Sequence, residues 1–373
     1  MPLRALARVN LAAIERNVSR LRAGLTGGAE LCAVVKADGY GHGAAQAGRA
    51  ALAGGASWLA VATADEADAL RAAGIRERIL VMGAISTDEL PTALAATADL
   101  VAWSGQFVDA VKAAAKIPVR LHVKLDTGMG RLGTRDPAEA LRIAERVAAA
   151  SGVLELAGAM THFATADEDA QFLARQLQSF DPFVSQARRR WPGLLVHAAN
   201  SAATLREPAS HFDLVRCGIA VYGCDPMNDD PGAHGLEPAL ELSSYVAAVK
   251  RTPAGDSVGY GRRFIARKET WIATLPIGYA DGISRALTNN CDVLLGGRRY
   301  PLVGTVSMDN VTVDLGSEPG VSPGDIATFI GADGTEQQTV EEVARRMGTI
   351  NYEVVCGISS RVPRMYHRDG EPV

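Results

Sequence analysis

Lys36 is the residue whose surroundings in the sequence point most clearly to chemistry. It lies in the segment AVVKADGYGHG, residues 33–43, where an apolar run precedes it and three glycines follow. Apolar surroundings favour the neutral form of an amine, and a neutral amine can form a Schiff base with an aldehyde. Glycines let the backbone bend tightly over a ligand. A solvated surface lysine is the commoner case, but this position and these flanks favour a reactive amine.

Other polar side chains follow further apolar runs in the same way. Their amine, guanidinium, imidazole, amide and hydroxyl groups are those that bind anions and transfer protons. They are Lys124 with Asp126 and Arg131 behind it, His162, Asn200 with Ser201, and Arg216. A random scatter of polar residues would not place each one at the end of an apolar run.

Eight apolar runs alternate with longer amphipathic segments over the first two thirds of the chain. Runs rich in Val, Leu, Ile and Ala are typical of parallel strands that are buried on both faces. The predicted strands are Leu31–Lys36, Trp58–Ala62, Arg78–Met82, Leu100–Trp103, Val119–Leu125, Leu154–Thr161, Leu194–Ala198 and Phe212–Arg216. This alternation predicts a (β/α)8 barrel, with a doubly wound open sheet as the alternative.

A barrel would explain where the polar residues fall, since barrel enzymes carry their chemistry at the C-terminal ends of the strands. Lys36 and Arg216 end predicted strands, Lys124 lies at the end of another beside Leu125, and His162 directly follows a fourth. The loops after the last two strands commonly bind phosphate, and here they offer Ser201 and the pair Gly218-Ile219. Hydroxyl and backbone N–H groups at such positions form anion sites.

The last third of the chain predicts a separate, mostly β domain. Its clearest strands are Leu240–Lys250, Thr270–Leu275, Asp292–Leu295, Val311–Leu315 and Ile326–Ile330. Gly296-Gly297 predicts a tight hairpin turn, and one helix is predicted over Val340–Met347, ending at Gly348. We therefore expect a barrel over residues 11–236 and a β domain over 237–373, with residues 1–10 as a candidate addition to the β domain.

Composition excludes several classes of protein. The formal net charge is −4, and the five cysteines form no C-x-x-C pair, so neither nucleic-acid binding, a disulfide framework nor a zinc cluster is expected. The seven histidines show no i, i+4 pair with an acidic partner, so we expect no metal. No run reaches the roughly 18 apolar residues of a membrane span, and no signal-peptide pattern opens the chain. A cytoplasmic protein without nucleic-acid or membrane partners is the expectation.

Beyond these patterns, the segment around Lys36 resembles the cofactor-attachment signature of alanine racemases. Further blocks resemble that family in the same order along the chain. They are residues 124–133 (KLDTGMGRLG), 161–164 (THFA), 197–201 (HAANS), 216–219 (RCGI), 259–261 (GYG), 278–282 (GYADG), 307–309 (SMD) and 351–353 (NYE). The sequence differs from the common family pattern at Asp38-Gly39 and at Cys356, and neither difference involves a residue with an assigned role. The resemblance covers nearly the whole chain and implies a (β/α)8 TIM-type barrel followed by a mostly β C-terminal domain.

The resemblance implies that Lys36 holds pyridoxal 5′-phosphate as a Schiff base and then acts as a base. The opposing base implied is Tyr260, contributed by the partner subunit of a homodimer, with His162 as the residue that tunes it. Arg216 is implied to face the pyridine nitrogen and keep it unprotonated, which suppresses transamination.

The resemblance also assigns binding residues. For the phosphate they are Tyr40, Asn200, Ser201, Gly218, Ile219 and Tyr352. For the substrate carboxylate they are Arg131 and the backbone at Met308. Lys124 is implied to be carbamylated, since an unmodified lysine beside Arg131 would place two like charges at close range. The alternative is that Lys124 is unmodified, or that Asp126 balances its charge.

Together these features predict an enzyme that interconverts L- and D-alanine and supplies D-alanine for peptidoglycan. Two enzyme alternatives remain: a serine or broad-spectrum racemase on the same scaffold, and a decarboxylase on a related scaffold, against which the Arg216 block argues. A non-catalytic pyridoxal-phosphate-binding protein is a third alternative, and it would need neither the β domain nor Tyr260.

Overall fold

The computed structural model describes residues 3–373, which divide into two compact units. One unit is Ile14–Val221, and the other combines residues 3–13 with Tyr222–Val373. Within the described residues, no helix is both long and apolar enough to cross a membrane.

The first unit is a closed barrel of eight parallel strands, each paired with its neighbours in chain order. The first and eighth strands close the barrel by pairing with each other: Cys32 on the first strand pairs with Trp58 on the second and with Arg216 on the eighth. The strands are Glu30–Val34, Trp58–Val61, Arg78–Val81, Asp99–Ala102, Val119–Lys124, Leu154–Met160, Leu195–His197 and Leu214–Cys217. The predicted barrel is confirmed, and the open sheet is excluded.

Helices alternate with these strands and bury one apolar face each. They are Leu11–Ala23, Ala44–Ala53, Ala64–Ala72, Leu90–Ala95, Gly105–Ala114, Pro137–Ala148, Ala170–Arg190 and Ser201–Arg206. Local caps fix where they begin. Asp136 accepts a hydrogen bond from the Ala138 amide with Pro137 in the first turn, and Thr63 forms a capping box with Glu66.

The second unit is built on an eleven-stranded sheet, with a separate hairpin formed by Ser257–Val258 and Phe264–Ile265. The strands of the large sheet are Ala5–Asn10, Leu240–Tyr245, Ala248–Thr252, Thr270–Leu275, Asp292–Leu295, Arg298–Val303, Val311–Gly316, Ile326–Asp333, Glu336–Gln338, Arg364–Arg368 and Glu371–Pro372. Ala5–Asn10 pairs antiparallel with Leu240–Tyr245 and parallel with Arg364–Arg368. The hairpin at Gly296-Gly297 is confirmed, since both residues have positive φ, 57° and 76°.

One strand prediction in this unit was wrong. Leu240–Lys250 is not one strand but two, because the chain changes partners at Val246-Ala247. The Val246 amide bonds to the Asp325 carbonyl, whereas the Ala247 amide bonds to the Thr274 carbonyl. The helix Val340–Met347 is confirmed, with Gly348 in a left-handed cap. The helix Asn351–Cys356 was not predicted, since six residues carry too little periodicity.

Candidate active site

Lys36 lies at the mouth of the barrel, two residues beyond the end of its strand at Val34. The prediction that Lys36 ends the strand was therefore wrong by two residues. The backbone turns left-handed from Ala37 to Tyr40, with φ of 51°, 52°, 62° and 52°, and such a turn cannot continue a strand. Each non-glycine residue in this conformation costs roughly 1–2 kcal/mol, so the surrounding structure must hold the turn in place.

Two carboxylates supply hydrogen bonds that hold this turn. Glu66 accepts from the amide of Ala37 at 2.6 Å and, through its other oxygen, from the amide of Ala62 at 2.8 Å. Asp38 accepts from the amide of Ala44 at 2.9 Å. Sequence analysis did not single out Glu66, although the spacing Thr63-x-x-Glu66 marks it as half of a capping box.

A cavity of about 350 Å³ opens beside Lys36 within the barrel unit. This volume falls within the range of small-molecule sites. Its basic side chains are Lys36, Lys124, Arg131, His162 and Arg216. Among the described residues that line it there is no carboxylate. The cavity therefore suits an anionic ligand, and the structure brings together five residues that the sequence assigned to the site.

Lys124 ends its strand, as predicted, and is only 4% exposed. Burial, with the charges of Arg216 and Arg131, lowers the pKa of its amine to about 8, and the charge of Asp126 only partly opposes this. The Asp126 carboxylate is itself occupied by the amides of Gly128 and Gly130. The neutral form of the Lys124 amine is therefore a minor but substantial fraction near neutral pH, far larger than for a lysine with the ordinary pKa of 10.5.

Arg216 is buried, and both terminal nitrogens of its guanidinium group have hydrogen-bond partners. Its Nη2 donates to the carbonyls of Thr161 at 2.9 Å and Ala198 at 2.8 Å, and it lies 3.3 Å from Nδ1 of His162. Its Nη1 lies 2.8 Å from Nδ1 of His197. Burial lowers the Arg216 pKa to about 10, which still leaves the group protonated at neutral pH. Burial and the nearby charges of Arg216 and Lys124 hold the pKa of His162 well below its usual value.

The proposed phosphate residues of this unit meet on the same side of the barrel. Ser201 Oγ accepts from the amide of Gly218 at 2.9 Å, and Ile219 is fully buried beside it. A side chain at Gly218 would collide with the Tyr40 hydroxyl. Asn200 has a different contact, because its side chain caps the helix Ser201–Arg206 by accepting from the Ala203 amide at 3.0 Å.

The other predicted residues belong to the second unit. Tyr260 is 76% exposed and Met308 is 51% exposed. Both line an open cavity of about 450 Å³, together with Tyr279, Arg285 and Asp309. Tyr352 is half-buried in the helix Asn351–Cys356. Tyr260 and Met308 thus share one cavity of this unit.

Comparison with known proteins covers almost all of the chain. The families described as "Alanine racemase, N-terminal domain" and "Alanine racemase, C-terminal domain" match residues 9–226 and 239–366. The alanine racemase of Frankia casuarinae is 42% identical over 98% of this chain and 96% of its own length. Alanine racemase 1 of Bacillus subtilis is 40% identical over 98% of this chain and 93% of its own length.

Solved structures agree with these matches. An alanine racemase from D-cycloserine-producing Streptomyces lavendulae superposes with a TM-score of 0.92 at 39% identity, over 98% of each chain. That of Bacillus anthracis, solved with bound L-Ala-P, gives 0.91 at 37% identity, over 100% of this chain and 97% of its own. The fold, the cation-lined cavity and these matches define a racemase, an isomerase built from a barrel and a β unit. The chain belongs to the alanine racemase family.

Proposed function

We propose that this protein interconverts L- and D-alanine, using pyridoxal 5′-phosphate attached to Lys36. The observation that carries the proposal is the cavity beside Lys36, lined by four other basic side chains and no carboxylate. Both the cofactor phosphate and the substrate carboxylate are anions, and such a lining favours both. The proposal also includes the supply of D-alanine for peptidoglycan.

The residues present fit the cofactor. The barrel offers an amine at Lys36 and a permanent cation at Arg216. The hydroxyls of Tyr40 and Ser201 both lie beside Gly218. Gly218 leaves open the space that a Cβ would fill beside Tyr40. When bound, pyridoxal phosphate supplies a carbonyl that joins the substrate amine and a ring that withdraws electrons from Cα. Asn200, Ile219 and, from the β domain, Tyr352 complete the proposed phosphate site.

Inversion of a stereocentre needs a proton removed from one face and a proton delivered to the other. We assign one face to Lys36 and the other to Tyr260 of a partner subunit. The exposure of Tyr260 supports this assignment, because a side chain 76% exposed in its own chain is available to a neighbour. The proposal therefore includes a homodimer in which the barrel, residues 11–236, works with the partner's β domain, residues 237–373.

Arg216, Arg131 and Lys124 complete the assignment. Arg216 presents a positive charge that keeps the ring nitrogen unprotonated. Arg131, with the backbone at Met308, binds the substrate carboxylate. Lys124, whose lowered pKa of about 8 gives its amine a substantial neutral fraction near neutral pH, is open to reaction with carbon dioxide. The amine nitrogen bonds to the carbon of carbon dioxide and releases a proton to solvent, and the resulting carbamate would offset the charge of Arg131. Labelling by isotopic bicarbonate at Lys124, absent in Lys124→Gln, tests this step; a bare amine would overturn it.

The main test is a chiral assay of the purified protein with L-alanine, L-serine and L-lysine. We expect racemisation of L-alanine to be fastest. A preference for L-serine or L-lysine would favour the broad-spectrum alternative. Borohydride reduction followed by peptide mapping should place the cofactor on Lys36, and a label on Lys124 instead would contradict the assignment of both lysines. Lys250 is a matched exposed lysine that should stay unlabelled.

A further inference from the structure

Behind Arg216 a chain of buried polar groups crosses the barrel interior. Nη1 of Arg216 lies 2.8 Å from Nδ1 of His197, Nε2 of His197 lies 2.9 Å from Nδ1 of His122, and Nε2 of His122 lies 3.1 Å from the carboxylate of Asp99. His197, His122 and Asp99 are completely buried and Arg216 is 3% exposed. The strand that carries His122 ends at Lys124, and the strands that carry His197 and Arg216 lead into the proposed phosphate loops.

Only one arrangement of protons satisfies this chain. A guanidinium group donates and never accepts, so Nδ1 of His197 must accept from Arg216. His197 then carries its proton on Nε2 and donates it to Nδ1 of His122. His122 in turn carries its proton on Nε2 and donates to Asp99. A second proton on either imidazole would set two donors face to face at a distance of about 3 Å, so both histidines are neutral.

Asp99 supplies the negative charge at the far end. Burial raises the pKa of its carboxyl, but the hydrogen bond from His122 and the charges of Arg78 and Arg120 outweigh burial and hold the pKa below its usual value. Arg120 donates to Asp99 at 2.6 Å, and Arg78 also donates to it. The carboxylate therefore remains ionised although it is buried.

Among the described residues, the groups that act electrostatically on Arg216 include no carboxylate. The charged neighbour that faces both Arg216 and His197 is Lys124, which is a cation when protonated. The thiols of Cys32 and Cys217 also lie near Arg216, but burial raises both pKa values, that of Cys217 to about 11. Neutral thiols cannot balance a guanidinium charge.

The sequence makes room for this arrangement. A Cβ on Gly158, in the neighbouring strand, would lie 2.2 Å from Nδ1 of His122, so any side chain there would displace the imidazole. The rings of Trp58 and His122 pack in a T-shaped arrangement, with centroids 5.8 Å apart and an interplanar angle of 86°. Trp58 therefore restricts the His122 ring from another side. The His122 imidazole is thus held in one orientation by packing as well as by hydrogen bonds.

We propose that His122 and Asp99 are positioning residues for the racemase reaction, because they fix the tautomer of His197 and so hold the Arg216 guanidinium in place at the cofactor site. The inference rests on the proposed role of Arg216. Neither residue touches the cavity, and both act through His197. Loss of such an outer partner commonly reduces function by about 10–100-fold.

The direct test is NMR of the ring nitrogens of His122 and His197 in isotope-labelled holoenzyme. We expect both to be neutral and protonated on Nε2. A proton on Nδ1 of either ring, or a doubly protonated ring, would overturn the inference. This measurement needs no variant, so it stays decisive even where a substitution fails to fold.

A pair of variants separates the two ends of His122. His122→Gln can still donate to Asp99 but offers no acceptor near the Nδ1 position, whereas His122→Asn places an acceptor there and loses Asp99. We expect His122→Gln to mix the tautomers of His197, change the visible absorption of the bound cofactor and lower kcat by about 10–100-fold. His122→Asn should retain the His197 tautomer and recover part of kcat. Equal behaviour of the two variants would contradict the proposal.

Two controls separate this inference from the proposed function. Val123→Ala removes a buried side chain of the same strand outside the hydrogen-bond chain, and it should lower stability without changing the cofactor spectrum. Arg216→Lys should change that spectrum directly. An unchanged spectrum in Arg216→Lys would remove the proposed role of Arg216. A change in Arg216→Lys with none in His122→Gln or Asp99→Asn would remove only the role of His122 and Asp99.

Discussion

The hydroxyl of Tyr40 lies so close to Gly218 that a Cβ on Gly218 would come within 2.3 Å of the Tyr40 oxygen. The two residues belong to the loops that follow the first and the eighth strands of the barrel. The contact therefore joins the first and last strands at the mouth of the barrel, where the phosphate is proposed to bind.

Gly218→Ala should displace Tyr40 and weaken cofactor binding by about tenfold or more, which corresponds to about 1.4 kcal/mol. Fluorescence titration of the apoprotein with pyridoxal phosphate measures this. In a Tyr40→Phe background, Gly218→Ala should weaken cofactor binding by a smaller factor, because the Tyr40 hydroxyl that the new Cβ would meet is absent. Substitutions at two residues in contact are generally not additive in free energy. Fully additive losses would mean that the contact does not matter for binding.

The barrel was predictable because each strand carries its own signal. All eight predicted runs contain the core of an observed strand, since strands buried on both faces must be apolar throughout. The left-handed turn after Val35 was not predictable in the same way. Ala37 adopts positive φ although alanine rarely does so. The conformation is therefore imposed by contacts such as that of the Ala37 amide with Glu66.

The hydrogen-bond chain behind Arg216 was missed for a different reason. Asp99 opens a strand that was predicted to start at Leu100, because a carboxylate normally lies outside an apolar run. Its compensating groups, Arg78, Arg120 and His122, come from the strands on either side. Pairing of consecutive strands brings them together, and local sequence patterns do not report contacts at that separation.

Glu66→Gln should loosen the turn that carries Lys36. The glutamine has one oxygen where the carboxylate had two, so it cannot accept from Ala37 and Ala62 together. Loss of a charge-assisted hydrogen bond costs about 1.5–3 kcal/mol. We expect a lower Tm and slower attachment of pyridoxal phosphate, measured by absorbance. Asp65→Asn, on the neighbouring exposed carboxylate, is the matched control; if both variants attach cofactor equally fast, Glu66 has no such role.

Lys124→Met should stabilise the fold near neutral pH in buffer free of carbon dioxide. The folded-state pKa of about 8 lies below the ordinary value of 10.5, so between these values the unfolded chain holds a proton that the folded chain lacks. The free energy of unfolding of the wild type therefore rises with pH between about 8 and 10.5. Below about pH 8, the buried amine lowers that free energy by an amount on the order of 3 kcal/mol.

Denaturant unfolding at several pH values checks this prediction. The advantage of Lys124→Met should be largest below about pH 8 and should shrink as pH rises toward 10.5. An advantage that is constant with pH would show that the effect comes from packing rather than from the buried charge. Addition of bicarbonate should reduce the difference if Lys124 forms a carbamate.

Asp281→Asn should destabilise the loops that carry Tyr279 and Met308 in the second unit. Asp281 is completely buried and accepts from Arg4 and from the amide of Gly278. Burial raises the pKa of its carboxyl, but the hydrogen bond from Arg4 and other partners hold the pKa below its usual value. The Arg4 side chain is 37% exposed, so solvent screens the pair, and the loss is closer to that of one charged hydrogen bond, about 1.5–3 kcal/mol. The stability that Asp281 provides is present above about pH 4 and is lost as pH falls through its folded pKa.

Hydrogen exchange at the amides of Tyr279 and Ala280 measures the local effect, since they bond to the carbonyls of Ser307 and Met308. We expect faster exchange at both amides in Asp281→Asn. The control is Asp309→Asn, which removes an exposed partner of Arg361 and should leave exchange unchanged. Equal exchange in the two variants would show that Asp281 does not hold these loops.

The last prediction concerns assembly. If Lys36 and the partner's Tyr260 serve one site, a symmetric dimer has two identical shared sites. Lys36→Ala and Tyr260→Phe proteins should each lose activity, by about 10²–10⁴-fold where a general acid–base group is removed. Mixing them should restore activity, because a heterodimer regains one site with both bases while its other site has neither. Each parent alone, taken through the same exchange, is the control. Verified exchange of subunits without recovery would mean that both bases come from one chain, and the shared site would have to be abandoned.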